Sequence, residues 1–279
     1  MKSSNPPPLD IPALLRRYGL HPDKKLGQNF LKDPSALETL LSVSGVQADD
    51  TVLEVGPGLG SLTRLLASAC ERVIAVELDS ALLPPLKAVL ASFDNVQVIQ
   101  GDILKLSLSG IIAKPDYLVV ANIPYYITSA IIRRLLENEA RPRRIVLTIQ
   151  KEVAERICAS PGDLSLLALS VQVYGQAQLK AVIPAEAFYP SPKVDSAILV
   201  IDIYPAPLIP PALLSTFFRL IKSGFAQKRK TLRNSLATGL HQAPADTEKL
   251  LRKAGIDPMR RAETLSLDEW QHLCELLSP

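Results

Sequence analysis

Cysteine and histidine are scarce: the 279 residues hold three of each. Cys70, Cys158 and Cys274 are odd in number, lie far apart and form no CxxC pair. That excludes a disulfide framework and a cysteine-held zinc. His21, His241 and His272 do not cluster with them, so no metal site is expected. No run of about 18 apolar residues occurs, which excludes a membrane-spanning helix. Residues Met1–Leu9 are polar and proline-rich. They lack the apolar stretch of a secretory leader and the arginines of a transit peptide, so the expected location is the cytoplasm. Charge of one sign is lacking too, with a net +3.

What is present is ordinary globular material, 47% hydrophobic and 21% charged. At about 150 residues per domain, it suits one large or two modest domains. The charge is unevenly spread. From Pro205 to Pro279 there are 11 Lys or Arg against 7 Asp or Glu, a balance of +4, which leaves −1 for the first 204 residues. A near-neutral body with a basic C-terminal quarter fits an acidic partner such as nucleic acid, although solubility alone also accounts for it.

Residues 1–33 read as a tail: PPP at 6–8, an amphipathic run over Ile11–Tyr18, then a polar stretch. Its composition predicts mobility without ligand. Beyond it, strand-like and helix-like segments alternate. Pro34–Val43, Leu59–Ala69, Ala81–Ser92, Ser129–Glu137 and Lys151–Ile157 read as helices. Thr51–Val55, Arg72–Val76, Val96–Ile99, Tyr117–Ala121 and Arg144–Ile149 read as strands. Such alternation predicts an α/β fold with an open parallel sheet and helices on both faces. Leu169–Ile183 and Ser196–Ile203 are β-rich and predict antiparallel closing strands. Prolines at 205, 207, 210 and 211 mark a linker. The pattern after it is helical only, over 211–223, 228–239, 246–254 and 266–277. The expected domains are therefore a tail (1–33), a catalytic α/β domain (34–204) and a small all-helical domain (205–279).

The first strand runs into the helix after it through Glu54-Val55-Gly56-Pro57-Gly58-Leu59-Gly60. Glycines let the backbone turn sharply and approach a ligand, which would sit at the carboxyl end of the strand. Glu77 ends the second strand, where a carboxylate accepts from both hydroxyls of a ribose. Asp102 follows the third strand and is placed to accept from an adenine amino group. S-adenosylmethionine, a nicotinamide dinucleotide and a purely structural turn all remain open on the loop alone. The GxGxG spacing departs from the dinucleotide pattern. Glu54 is ill-suited beside a pyrophosphate but suits a positive methionine amino group or sulfonium.

Asn122-Ile123-Pro124-Tyr125-Tyr126 closes the fourth strand. The lone pair of an exocyclic adenine amine is delocalised into the ring and is a poor nucleophile. Two acceptors, the Asn122 side-chain carbonyl and the Pro124 backbone carbonyl, would take its N–H bonds and turn the lone pair out of the ring. Proline offers a fixed φ and no competing donor. Tyr125 offers a flat face for an unstacked base. No strong base is required, because the product ammonium sheds its proton to water. The alternative for this stretch in isolation is a tight turn with tyrosines in the core.

Taken together, the chain resembles the KsgA-type ribosomal RNA adenine N6,N6-dimethyltransferases, relatives of the erythromycin-resistance methylases. The matching pieces are Lys24–Leu31 (KKLGQNFL), Glu54–Thr63, Glu77-Leu78-Asp79, Gly101-Asp102, Asn122–Tyr126, Gln150–Arg156 (QKEVAER), Phe188–Ser196 (FYPSPKVDS), Phe225–Asn234 (FAQKRKTLRN) and Arg261–Ser266 (RAETLS). They occur in family order over about 240 residues. The resemblance implies a Rossmann-like seven-stranded methyltransferase core with a small helical C-terminal domain. It implies S-adenosylmethionine as cofactor. It also implies dimethylation of two adjacent adenosines in the 3′-end hairpin of small-subunit rRNA, with a role in small-subunit biogenesis. The implied partner is that rRNA or an immature small subunit, met by a monomer.

Carried onto this chain, the cofactor residues are Asn29, Leu31, Glu54, Gly56, Gly58, Glu77, Asp102 and Asn122. Asn122, Pro124, Tyr125 and, as a second aromatic, Phe188 form the catalytic set. RNA contacts are expected at Lys24, Lys25, Lys228, Arg229, Lys230 and Arg233, and also near Arg133, Arg134, Arg141, Arg143 and Arg144. Gln227-Lys228 stands where relatives often carry two arginines; lysine keeps the charge but loses bidentate geometry. Trp270 reads as a core anchor. Two other functions fit parts of the pattern: a large-subunit methylase of the resistance type, and an RNA-binding assembly factor with secondary catalysis.

Overall fold

A strand that is apolar on both faces needs a sheet covered on both sides. All five residues of Thr51–Val55 are buried, and the neighbouring strands follow suit. The computed structural model describes residues 6–112, 116–227 and 229–277. Its strands are β1 (Phe30–Leu31), β2 (Thr51–Val55), β3 (Arg72–Glu77), β4 (Val96–Gln100), β5 (Leu118–Asn122), β6 (Arg144–Gln150), β7 (Gly175–Ile183), β8 (Phe188–Tyr189) and β9 (Ser196–Ile203). Seven form one sheet in the order β4-β3-β2-β5-β6-β9-β7. The first five run parallel, and β9 lies antiparallel to β6, from Arg144↔Asp202 to Gln150↔Ser196. From β2 the chain builds outward through β3 and β4, then returns to the other side of β2 with β5. The carboxyl ends of β2 and β5 therefore flank a crevice at the point where the strand order reverses, the usual ligand position in such sheets. β1 and β8 make a separate antiparallel pair, Phe30↔Tyr189 and Leu31↔Phe188.

The helices are α1 (Ile11–Arg17), α2 (Pro34–Ser44), α3 (Ser61–Ala69), α4 (Leu83–Val89), α5 (Leu108–Ile111), α6 (Thr128–Leu136), α7 (Lys151–Ile157), α8 (Leu166–Gln172), α9 (Leu214–Phe225), α10 (Leu232–Leu240), α11 (Pro244–Lys253) and α12 (Leu267–Leu277). Helix α2 starts where its sequence dictates. The Asp33 carboxylate accepts from the Ala36 amide at 2.7 Å, and Pro34 sits where no amide partner is needed. Its Leu37 and Leu40 face is buried with Leu66 of α3 and Val52, Val73 and Leu118 of the sheet. Each such side chain contributes about 1.5–3 kcal/mol of burial.

The chain divides into two compact units. One is Met1–Ala154 with Ala177–Ile203; the other is Glu155–Gln176 with Tyr204–Pro279. The helical unit thus takes in residues 155–176, where the linker prolines placed its start at 205. Within it, the Tyr204 and Leu208 amides donate to the Tyr174 and Val173 carbonyls, both at 2.9 Å. Trp270 is fully buried there, its ring centroid 6.4 Å from that of Phe225, as a core anchor should be.

Two further expectations are corrected. Residues 169–172, expected to start a strand, instead end a helix over Leu166–Gln172. Ser165 caps it by accepting from the Ala168 amide, and an apolar run this short carries no decisive period. Nor do residues 6–33 form a loose tail. Ile11 and Leu15 of α1 are 1% and 3% exposed and pack with Phe30, Leu59 and Leu82. Burial pushes the Cys70 and Cys274 thiols up to about 11 and about 12, leaving them unreactive. Among the described residues no helix is long and apolar enough to cross a membrane. Among them, too, no group of three His, Cys, Asp or Glu is placed to hold a metal ion.

Candidate active site

The loop after β2 must turn without clashing, and its three glycines all adopt positive φ, +71° at Gly56, +59° at Gly58 and +89° at Gly60. A side chain at Gly58 would also meet the Phe30 ring, its Cβ falling 3.0 Å from Cδ1 and Cε1. The loop therefore lies close under β1. Above the carboxyl ends of β2 and β5 it leaves a cavity of about 1000 Å³, open mouth included. Asn29, Leu31, Glu54, Gly56, Gly58, Glu77, Asp102 and Asn122 all border this cavity, as do Pro124 and Tyr125. Segments 93 residues apart thus meet in one place.

Three carboxylates serve it differently. Glu77, 6% exposed, accepts from the Gly58 amide through Oε2 at 3.0 Å and from the Asp79 amide through Oε1 at 2.9 Å. Each oxygen keeps a further lone pair for a hydroxyl. Burial raises this carboxyl above its ordinary range, against the pull of the backbone donors. Glu54 is 1% exposed, and its Oε2 makes no hydrogen bond of good geometry among the described residues. Burial pushes it up to about 8, against the pull of the neighbouring Thr63 hydroxyl and with a smaller push from the Glu77 charge. A buried, unpartnered carboxyl oxygen at a cavity wall fits a cationic group as its complement. Asp102 accepts from the Leu104 amide at 3.0 Å and stands 3.5 Å from the Lys105 ammonium.

On the opposite wall, Asn122 Nδ2 donates to the Asn29 backbone carbonyl at 3.0 Å. A carbonyl accepts only from the NH₂ end, so the side-chain oxygen of Asn122 is the end left over as an acceptor. The Pro124 carbonyl accepts from the Ile127 amide at 3.3 Å, closing the tight turn at Tyr125–Ile127, and retains one lone pair. The Tyr125 hydroxyl is 2.6 Å from Ser196 Oγ, the fully buried first residue of β9. That bond fixes the ring, and burial raises the phenol, so it stays neutral.

Phe188 is not part of this wall. It is 1% exposed in the core with Leu37, Ile198 and its strand partner Leu31. The second stacking aromatic expected there is instead a packing residue, because pairing with β1 turns it inward. Two linking residues had no assigned role in the sequence, Gln28 and Asp79. Gln28 Nε2 donates to Asp79 Oδ2 at 2.7 Å, while its Oε1 accepts from the Asp23 amide at 2.8 Å. This ties segment 23–29 to the end of β3. Both residues stood inside matching motifs, but their pairing spans 51 positions and had no local signature.

Residues 20–278 match the sequence profile of ribosomal RNA adenine dimethylases. The chain belongs to the ribosomal RNA adenine dimethylase family. A Dehalococcoides mccartyi protein named ribosomal RNA small subunit methyltransferase A is 45% identical over 262 residues, 94% of this chain and 90% of that one. The protein of the same name from Geobacillus thermodenitrificans is 40% identical over 276 residues, 95% and 94% of the two chains. Among solved structures, a dimethyladenosine transferase from Plasmodium falciparum superposes with a TM-score of 0.75 at 26% identity, over 88% of this chain and 95% of that one. The 23S rRNA methyltransferase ErmE gives 0.72 at 28% identity, over 89% and 99%.

A dimethylase of RNA needs cations for phosphate, and the structure sorts the candidates. Lys24 and Lys25 are exposed on the turn that precedes the cavity-lining stretch. Arg229 and Lys230 are exposed between α9 and α10. Lys228 lies outside the described residues. Arg233 is corrected: its guanidinium pairs with Glu248 at 3.0 Å, and Glu248 also binds Arg252 at 2.8 Å. These two guanidinium groups hold the Glu248 carboxyl below its ordinary range. Arg143 pairs with Asp50 at 2.8 Å, Arg144 with Asp202 at 2.5 Å and Arg133 with Glu137 at 2.9 Å. Arg134 donates to the Leu106 carbonyl at 2.8 Å. Arg143, Arg144 and Arg134 are thus engaged within the fold, while Arg133 pairs on the surface with its side chain 65% exposed.

Proposed function

We propose that this dimethylase converts two adjacent adenosines in the 3′-end hairpin of small-subunit rRNA to N6,N6-dimethyladenosine, acting as a monomer on a subunit still being assembled. The naming of relatives at 40–45% identity supports the small subunit over the large one. The observation that carries the chemistry is the Asn122 amide, held by the Asn29 carbonyl so that its oxygen is the end left to accept.

The cavity residues suit S-adenosylmethionine, which when bound supplies an electrophilic sulfonium methyl. Glu77 has lone pairs for ribose hydroxyls, and Asp102 has one for an adenine amino group. Glu54 gives its unpartnered oxygen to the positive end. The Asn122 Oδ1 and Pro124 carbonyl accept the two N–H bonds of the target amine and turn its lone pair out of conjugation. Tyr125, locked by Ser196, supports the base. Proton loss afterwards needs no protein base, because the product ammonium sheds its proton to water.

The test is methyl transfer from labelled S-adenosylmethionine to unmethylated subunits, with the nucleosides identified. Dimethyladenosine at adjacent positions near the 3′ end of small-subunit rRNA is the expected product. Label on large-subunit rRNA alone would overturn the substrate. Cofactor binding without label on either subunit would leave an assembly factor.

A further inference from the structure

Burial of Phe188 leaves this dimethylase without the second aromatic surface expected at that position, yet another aromatic stands at the cavity mouth. Tyr126 borders the same cavity and is 58% exposed, more than all but one of the other exposed large apolar side chains. A lone exposed ring is ordinary on a protein surface, and what sets this one apart is its place at the mouth of the cavity and what lies behind it. The ring is backed on one side. A Cβ built on Gly27 would fall 3.2 Å from Tyr126 Cδ1 and 3.4 Å from Cε1, so the bare peptide of Gly27 lies against the ring. Gly27 has φ +61° and closes a turn in which its amide donates to the Lys24 carbonyl at 3.2 Å. That turn carries Lys24 and Lys25, both exposed. The Tyr126 hydroxyl bonds to no described protein group, so the ring is not held through its oxygen.

A ring supported from behind, open in front and backed by a turn that carries two exposed lysines has the makeup of a single-stranded nucleotide subsite: a π face for a base, cations for its phosphates. Tyr125 and Tyr126 are successive residues of one tight turn, the first half-buried and fixed, the second outside. We propose that Tyr126 stacks the base adjacent to the adenosine being methylated, while Lys24 and Lys25 meet the phosphates flanking it. This rests on the reading of two neighbouring adenosines as substrate. Stacking on one aromatic is worth roughly a tenfold change in affinity or more.

The full-length protein is titrated into the 3′-end hairpin RNA with a fluorescent purine analogue in place of one of the two adenosines. The readouts are fluorescence and binding, beside KM for unmethylated subunits. For the wild type, stacking quenches the analogue. Tyr126→Ala is expected to abolish the quench and raise KM for subunits about tenfold, with cofactor Kd and kcat within about twofold. Tyr126→Phe restores quench and KM. Equal quenching by wild type and Tyr126→Ala, or a Tyr126→Phe variant as impaired as the alanine, overturns the subsite. The quench is read without turnover, so a wild type that quenches but transfers no methyl group refutes the proposed activity and leaves the subsite standing.

Discussion

Asn122 shows how much one side chain's orientation decides. Its NH₂ is committed to Asn29, so the remaining carbonyl is positioned before substrate arrives. Asn122→Ala is expected to keep the fold and most RNA affinity but to lower kcat by about a hundredfold, the usual loss for one preorganised partner. Stopped-assay rates beside an RNA-binding titration check it. Glu54 makes a second residue-scale prediction. Its folded value of about 8 lies above the ordinary 4.5. Its neutral form therefore favours the fold fully below the ordinary value, and that contribution is lost as pH rises through the folded one. The Tm of the cofactor-free protein should fall across this window, and Glu54→Gln should flatten the fall. A cation bound beside Glu54 lowers its pKa, so binding near neutral pH should release a proton, visible as a buffer-dependent heat in calorimetry. The glycine loop, the spaced acids and Asn122–Tyr125 were legible because each lies in one short stretch at the end of a strand. Phe188 and Arg233 were not, since the strand pairing that buries one and the Glu248 that neutralises the other lie far along the chain.

Among elements, α2 carries the clearest local logic. Asp33, Pro34 and the Leu37/Leu40 face specify a helix start and a buried side, and both were readable as a period. Leu40 is fully buried in the larger core cluster. Leu40→Ala should cost about 2–5 kcal/mol in denaturant unfolding, with the slope against denaturant unchanged. The parallel order of β2 to β6 was legible from strand–helix alternation, and the antiparallel β9 from its composition. Helix α8 was missed because LLALSVQ fits a strand as readily as a helix. What decided it was Ser165 as a cap. Helix α1 was underrated for another reason: its apolar face is only two residues wide, and its partners Leu59 and Leu82 are remote in sequence.

For the molecule as a whole, the charge count overstated the cations available to RNA. The C-terminal surplus includes Arg233 and Arg252 on Glu248, and Arg260 on Glu269 at 2.5 Å. Arg229 and Lys230 remain exposed. Replacing both with alanine should weaken RNA binding and reduce the slope of log affinity against log salt by about 0.7–0.9 for each phosphate no longer neutralised. Arg233→Ala should leave that slope alone and lower Tm instead. A binding titration across salt concentrations beside thermal unfolding separates the two.

The atom that aligns Asn122 belongs to the main chain. Any amino acid at position 29 supplies the same carbonyl, so the side chain there acts only on where the segment sits, Asn29 Nδ2 donating to the Gly27 carbonyl at 3.2 Å. Its position is fixed next door, by the pairing of Phe30 with Tyr189. Slipping the Phe30–Tyr189 pairing by a residue would therefore move the acceptor's partner while every residue of Asn122–Tyr125 stayed in place. In this protein, catalytic competence is a property of register.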